Sequence, residues 1–165
     1  MNKAFFIDRD GIINKLVRQS DGYNDSPQSK EQVVINDGIV ELLRWLHAKD
    51  IPVIEISNQP GVARGKMNME QLNSIEEQIH SLLAREDVHI DKIYRCFHHP
   101  NATIEALRLD CDCRKPKGGL LTQAAKELSL DLSQSIFLGD NLTDVEAGFS
   151  AGCHTILFPH TPHPN

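Results

Sequence analysis

The sequence lacks long hydrophobic runs, a surplus of positive charge and repeated or low-complexity tracts. No apolar stretch approaches the ~20 residues of a membrane-spanning helix, and the apolar start of the chain reaches charged residues too early for a signal peptide. The net charge of −6 argues against broad binding to nucleic acid or anionic membranes. We therefore expect a cytoplasmic protein without nucleic-acid or membrane partners. Without an interdomain linker, residues 1–165 suit one domain, expected to be a monomer.

Short apolar runs alternate with segments of helical spacing. The predicted strands are 4–7, 51–56, 90–94, 135–138 and 155–158, and the predicted helices are 39–46, 72–83, 120–128 and 145–151. We expect a long polar loop at 15–36, an irregular segment at 96–119 and a frayed tail after Leu157. This alternation predicts an α/β fold, with a mainly parallel sheet, right-handed crossovers and helices on both faces.

Polar clusters follow three of the predicted strands, at 8–11, 57–59 and 139–144. Ligands of open parallel sheets bind beyond the carboxyl ends of the strands. The three clusters are therefore predicted to converge on one crevice.

Asp8 and Asp10 flank Arg9 at the end of the first predicted strand. Carboxylates this close repel unless a cation lies between them or one is protonated, and Mg²⁺ prefers such oxygen ligands. Asp8 could attack phosphorus and form an aspartyl-phosphate, while Asp10 could protonate the leaving alcohol and later deprotonate water. The alternative is a solvated strand end, because Asp-x-Asp-Gly often occurs by chance.

Further candidates follow the later strands. Ser57 could donate to a phosphoryl oxygen, although a plain Ser/Asn turn is the alternative. Lys115 could place a positive charge on the phosphoryl group, whereas an Arg-Lys pair is usually a surface feature. Asp140 is the expected Mg²⁺ ligand, and Asp144 could instead serve as a charge at a helix N-terminus.

Four segments resemble, in order, the four motifs of the haloacid dehalogenase (HAD) superfamily: DRDG at 8–11, SNQ at 57–59, RKP at 114–116, and GD at 139–140 with Asp144. The resemblance spans residues 3–158 and implies a Rossmann-like core without a large cap domain. It implies that Asp8 is nucleophile and Mg²⁺ ligand, and that Asp10 is acid/base and binds Mg²⁺ through its carbonyl. Asp140 would complete this site, and Ser57 and Lys115 would hold the phosphoryl group.

Within the superfamily, the sequence resembles the branch of heptose-bisphosphate 7-phosphatases and histidinol-phosphatases, through segments 8–14, 61–65, 96–100 and 111–116. The branch implies a small phosphorylated sugar as substrate, namely heptose 1,7-bisphosphate from lipopolysaccharide heptose synthesis. Histidinol phosphate or another small phosphomonoester is the alternative of the same class. A catalytically silent, zinc-stabilised phosphosugar-binding module is the alternative of a different class.

Cys96, His98, Cys111 and Cys113 offer three thiolates and an imidazole, a set suited to a tetrahedral structural Zn²⁺ in a loop at about 96–113. Unrelated buried cysteines are the alternative. The neighbouring His99 could replace His98, but the branch pattern selects His98. Cys153 is expected to be a small buried residue.

Arg64 and Arg114 could each bind the distal phosphate of the substrate, since a guanidinium matches phosphate in bidentate fashion. For Arg64 the alternative is a solvated loop charge. The remaining expected substrate contacts are Asn58, Gln59 and Asn141. The sequence departs from the branch at two positions: Pro60 replaces the usual Ser, and Asn141 replaces a frequent Lys.

Overall fold

The computed structural model describes residues 2–20 and 22–158, so most of the tail predicted to fray lies outside the described residues. Five parallel strands form the main sheet: β1 (Phe5–Ile7), β4 (Val53–Asn58), β5 (Lys92–Cys96), β6 (Ile136–Gly139) and β7 (His154–Leu157). Their order is β5-β4-β1-β6-β7, with β1 at the centre. A short antiparallel hairpin consists of β2 (Val17–Arg18) and β3 (Asn24–Asp25).

Four α-helices cover the two faces of the sheet: α1 (Ile39–His47), α2 (Met69–Arg85), α3 (Gly119–Leu128) and α4 (Leu142–Ala151). Because side chains alternate across a strand, Phe5 and Ile7 pack in one core cluster with α1 and α2. Phe6 packs in a second cluster with α3 and α4. A sheet buried on both faces explains why β1 is wholly apolar, and the predicted α/β class is confirmed.

Three short 3₁₀ helices lie at Lys30–Gln32, Glu105–Leu107 and Leu132–Gln134. In the described part of the chain, no helix is both long enough and apolar enough to span a bilayer.

Element boundaries differ from the prediction where polar side chains decide them. β5 begins at Lys92 rather than at residue 90, because Asp91 bonds the start of β4 through its backbone and its carboxylate. α4 begins three residues early, since Asn141 and Asp144 form a capping box. The predicted loop at 15–36 contains the β2–β3 hairpin, which reaches over the carboxyl end of the sheet.

Candidate active site

A cleft of about 330 Å³ opens beyond the carboxyl ends of β1, β4 and β6. The predicted site residues that line it are Asp8, Asp10, Asn58, Arg64, Arg114, Lys115, Asp140 and Asn141. The hairpin contributes Asn24, Asp25 and Ser26 to the rim, and Lys66 pairs with Asp25 across it. The three polar clusters therefore converge on one crevice, which is partly covered by a hairpin rather than by a separate domain.

The Asp8 carboxylate lies at the floor of this cleft and is almost fully buried. Its Oδ1 accepts a hydrogen bond from the Arg9 amide at 2.8 Å and lies 2.8 Å from Lys115 Nζ. Burial raises the pKa of Asp8 to about 7, because it outweighs the opposing charge of Lys115, and the nearby Asp144 adds to the rise. A cation at this position would keep the carboxylate ionised and therefore nucleophilic.

Lys115 joins the floor of the cleft to the backbone of β4. Its ammonium donates to Ile56 O at 3.0 Å and also lies 2.7 Å from Asp144 Oδ1. The Asn58 side chain holds the Lys115 backbone through two hydrogen bonds of 3.1 Å. Burial opposes the charge of Lys115, yet Asp8 and Asp144 raise its pKa, so the ammonium stays charged.

Asp144 was expected to serve mainly as a charge at a helix N-terminus, but the structure places it in the cleft. It is 2% exposed, and its Oδ2 accepts from the Asn141 amide at 3.0 Å. A Cβ at Gly139 would lie 2.3 Å from the Cβ of Asp144, so only glycine permits this approach. The capping pattern was visible in the sequence, but the inward direction of the carboxylate was not.

Asp8, Asp140 and Asp144 together provide a fit for Mg²⁺. Each can offer one carboxylate oxygen, and these oxygens lie within 4.8 Å of one another. Three hard oxygen donors beside an open cleft match the preference of Mg²⁺ for a few carboxylates, waters and phosphate oxygens.

Asp10 stands at the rim, held by three polar side chains. Arg9 Nη2 donates to its Oδ2 at 2.8 Å, and Gln59 Nε2 donates to the same oxygen at 2.7 Å. Asn14 Nδ2 donates to Oδ1 at 3.0 Å. Gln59, expected to contact substrate, is buried and bonds Asp10 and Arg9 instead. Its position makes it a support for Asp10.

Arg9 connects Asp10 to a buried ion-pair network that the sequence reading missed. The Arg9 guanidinium is only 1% exposed and donates from Nη1 to Glu76 Oε1 at 3.0 Å. Glu76 also pairs with Arg95, which donates to Glu55 at 3.1 Å. Burial opposes the charge of Arg9, but Asp10, Glu55 and Glu76 raise its pKa. The sequence did contain one signal of this network, because Glu76 is a charged residue on the otherwise apolar buried face of α2.

Ser57 faces this network rather than the cleft. Its hydroxyl is buried and donates to Glu55 Oε1 at 2.9 Å. Burial raises the pKa of Glu76, with Arg95 and Arg9 opposing the rise. The network thus runs beneath the end of β4, and the Ser57 hydroxyl is not among the cleft-lining groups.

The predicted zinc ligands lie together beside the cleft. Donor atoms of Cys96, His98, Cys111 and Cys113 all lie within 4.8 Å of one another, and the three cysteines are free thiols. Sγ–Sγ distances of 3.2–3.5 Å approach the ~3.7 Å edge of a tetrahedron with Zn–S bonds of about 2.3 Å.

Burial and mutual hydrogen bonds shift the thiol pKa values of this cluster in opposite directions. Burial acts against the Cys111 thiolate, but hydrogen bonds from Cys113 and Cys96 lower its pKa to about 7. Burial raises the pKa of Cys96 and Cys113. His99 Nδ1 instead accepts from the Asn101 amide at 3.0 Å, leaving His98 as the imidazole of the cluster.

The three remaining predicted contacts differ in how firmly they are held. Arg114 Nη1 donates to His98 O at 3.3 Å, which ties the cleft wall to the cysteine cluster. Arg64 is exposed on the opposite lip. Asn141 lines the cleft, but its side chain caps α4 by accepting from the Thr143 amide.

Cys153 is buried as predicted, and burial raises its pKa to about 11.

Known proteins share both the sequence and the fold. The HAD-hydrolase-like family profile matches residues 112–160. The D-glycero-beta-D-manno-heptose-1,7-bisphosphate 7-phosphatase of Haemophilus influenzae is 40% identical over 167 residues, covering 99% of this chain and 85% of the relative. The D-glycero-alpha-D-manno-heptose-1,7-bisphosphate 7-phosphatase of Campylobacter jejuni is 37% identical over 158 residues, covering 94% and 81% respectively.

A solved structure extends the similarity to three dimensions. The D,D-heptose 1,7-bisphosphate phosphatase of B. bronchiseptica, complexed with magnesium and phosphate, matches this chain with a TM-score of 0.80 and 31% identity. The match covers 94% of this chain and 79% of that one.

Proposed function

We propose a reaction and a substrate for this chain, which belongs to the HAD-like phosphatase family, as its four motifs predicted. The reaction is removal of the 7-phosphate of D-glycero-D-manno-heptose 1,7-bisphosphate. The observation that carries the proposal is the placement of Asp8, at the end of β1, against Lys115 and beside Asp140 and Asp144. This set supplies a nucleophile, a cation and metal ligands in one cleft.

Mg²⁺ would be held by Asp8, Asp140 and Asp144, together with the main-chain carbonyl of Asp10. When bound, it would offset negative charge on the phosphoryl oxygens and keep Asp8 ionised. The buried Lys115 ammonium supplies fixed positive charge beside Asp8, 2.8 Å from its Oδ1. Preorganised charges of this kind stabilise phosphoryl transfer without reorganising during the reaction.

In the first step, an Asp8 oxygen attacks phosphorus and the bond to the sugar oxygen breaks. Asp10 donates a proton to that oxygen, so the sugar leaves as an alcohol and Asp8 carries the phosphoryl group. The Arg9, Gln59 and Asn14 contacts hold the Asp10 carboxylate at the rim, where a leaving oxygen would lie.

In the second step, Asp10 accepts a proton from water as the water attacks the aspartyl-phosphate. The bond between the Asp8 oxygen and phosphorus breaks, so inorganic phosphate is released, and the Asp8 carboxylate and the protonated Asp10 are restored. One side chain thus serves as acid and then as base, so both steps need the same orientation of Asp10. Asn58 contributes by fixing the Lys115 backbone.

Zn²⁺ would be structural, held by Cys96, His98, Cys111 and Cys113. Four protein ligands leave no position for an activated water. Arg114 follows the last ligand directly and donates to the carbonyl of His98. The ion would therefore stabilise the loop that presents Arg114 and Lys115 to the cleft.

Two arginines add positive charge to the cleft, which suits a substrate that carries a second phosphate. Arg64 and Arg114 both line the cleft. We assign them to the distal phosphate, because guanidinium groups match phosphate geometry. The full set of reactive groups speaks against a silent binding module. The cytoplasmic location and monomeric state stay predictions.

A phosphate-release assay with heptose 1,7-bisphosphate and histidinol phosphate tests the substrate. We expect a higher kcat/KM for the heptose, with the sugar 1-phosphate as product in ³¹P NMR; a tenfold preference for histidinol phosphate would overturn the substrate. Both anomers are compared, because relatives are named for each. Asp8→Asn should abolish turnover without loss of fold. The absence of Mg²⁺-dependent release from any small phosphomonoester would overturn the enzyme assignment.

A further inference from the structure

Three side chains of types that commonly bind metals lie together at the amino end of the sheet, opposite the catalytic cleft. His47 ends α1, whereas His89 and Asp91 lie in the turn before β5. Their donor atoms all lie within 4.8 Å of one another. None of the three lines the cleft or belongs to the cysteine cluster.

The distances in this cluster match the edges of a metal coordination sphere. Asp91 Oδ1 lies 3.3 Å from His89 Nε2, and Asp91 Oδ2 lies 3.7 Å from His47 Nε2. Ligands of a tetrahedral ion with bonds of about 2.0–2.1 Å lie about 3.3–3.4 Å apart. The two distances, which involve different oxygens of Asp91, are at or slightly above this spacing, and with one donor from each residue within 4.8 Å of the others the cluster can close around one small dication.

The cluster is also partly preorganised. Asp91 Oδ2 accepts from the Val53 amide at 2.8 Å, and the Asp91 amide donates to Val53 O at 2.9 Å, which fixes the carboxylate on the sheet. His47 Nε2 is buried and has no hydrogen-bond partner within the described residues. A buried polar atom without a partner is unfavourable, and a metal ion would satisfy it.

His89 supplies the adjustable part of the cluster. Its ring stacks on that of His47 with centroids 4.4 Å apart and 22° between the planes. The His89 side chain is 67% exposed, so its ring can turn toward an ion without moving the core.

We propose that His47, His89 and Asp91 form a separate binding site for a transition-metal dication such as Zn²⁺. Imidazole suits Zn²⁺, Cu²⁺ and Ni²⁺ better than Mg²⁺, which separates this site from the carboxylates of the cleft. Three protein ligands leave a fourth position for water. The ion joins the end of α1 to the starts of β4 and β5, and so stabilises that junction.

Calorimetric titration of Zn²⁺ into protein already loaded at the cysteine cluster and saturated with Mg²⁺ tests the proposal. Wild type should bind one additional equivalent, and His89→Ala and Asp91→Asn should bind it at least about tenfold more weakly. His154→Ala, an exposed histidine in β7, is the matched control and should bind as wild type does.

A Co²⁺ titration under the same conditions identifies the ligands. Cobalt at this site should show d–d absorption without the thiolate charge-transfer band of a cysteine site. The proposal is overturned if wild type takes up no additional equivalent, or if His89→Ala binds it with unchanged affinity. Because metal binding is measured, failure here leaves the phosphatase assignment untouched, and His89→Ala should keep full phosphatase activity.

Discussion

Replacing Glu76 with Gln should weaken catalysis from a residue that lines no part of the cleft. Glu76 contacts Arg9, and Arg9 in turn holds both oxygens of Asp10. The glutamine keeps the shape of the side chain but removes its charge, so Arg9 loses one of its anionic partners. Asp10 should then lose its fixed orientation while keeping its chemistry.

The size of the effect follows from the contacts. Glu76 makes one charged contact to Arg9 and one to Arg95, and its side chain is 10% exposed. Charge-assisted hydrogen bonds contribute roughly 1.5–3 kcal/mol each, and glutamine retains part of this. We expect unfolding free energy to fall by about 2–3 kcal/mol, which corresponds to roughly 4–12 °C in Tm.

The kinetic assay separates positioning from general damage. General acid–base catalysis contributes roughly 10²–10⁴-fold, so partial misorientation of Asp10 should lower kcat on the sugar phosphate by about 10–100-fold. With p-nitrophenyl phosphate the leaving group departs as an anion and needs no proton, so the first step, measured as the burst of p-nitrophenol, should slow less than about threefold, whereas the second step still needs Asp10 as base. Glu77→Gln, on the exposed side of α2, is the control and should match wild type.

A double-mutant cycle supplies the decisive comparison. In an Asp10→Asn background there is no acid left to orient, so Glu76→Gln should add almost no further loss of kcat. Equal slowing of the first step on both substrates, or a full additional loss in the Asp10→Asn background, would refute positioning through Arg9.

Three further predictions concern metals and substrate. Cys111→Ser, or chelation of zinc, should lower Tm and kcat together, because binding energy at a structural site is folding energy; thermal unfolding with and without chelator measures this, and unchanged Tm would contradict it. The raised pKa of Asp8, about 7, means that the metal-free protein holds a proton that the unfolded chain releases from about pH 4 upward. The buried Asp8 carboxyl therefore contributes stability that is fully present below about pH 4 and is lost as the pH rises to 7. Mg²⁺ needs the ionised carboxylate, so its affinity should fall by up to about tenfold for each pH unit below 7. Calorimetry at pH 6 and 8 tests this, and equal affinities would refute it. Arg64→Ala should raise KM for the bisphosphate by about tenfold, roughly one charged contact, and leave KM for p-nitrophenyl phosphate unchanged; parallel rises would exclude a contact to the distal phosphate.

Much of the site could be predicted because local sequence places it. A run of apolar residues that ends in Asp8 is a buried strand, and parallel strands bring their carboxyl ends to one edge. The same rule brings Asp140 to Asp8. The close spacing of Cys111 and Cys113 likewise pointed to a metal cluster before any fold was known.

The partners of individual side chains could not be predicted, because alternation along a strand indicates which face a side chain is on but not which group it meets there. Ser57 donates to Glu55, and Gln59 bonds Asp10, although both belong to a motif expected to face substrate. Glu55 lies on β4 with Ser57, and Asp10 follows the neighbouring strand β1, so these pairs form only when β4 lies beside β1 and its side chains take their final directions.

The sequence by itself therefore determined the strand ends, the candidate nucleophile and the donor types of the candidate metal clusters, since these depend on residue order and short-range spacing. Only the tertiary structure decided that Arg9 is a buried link between Asp10 and Glu76, residues 66 positions apart in the chain. The physical reason is desolvation: a charge moved out of water must find an opposite charge nearby. Which charge lies nearby depends on how the helices pack on the sheet.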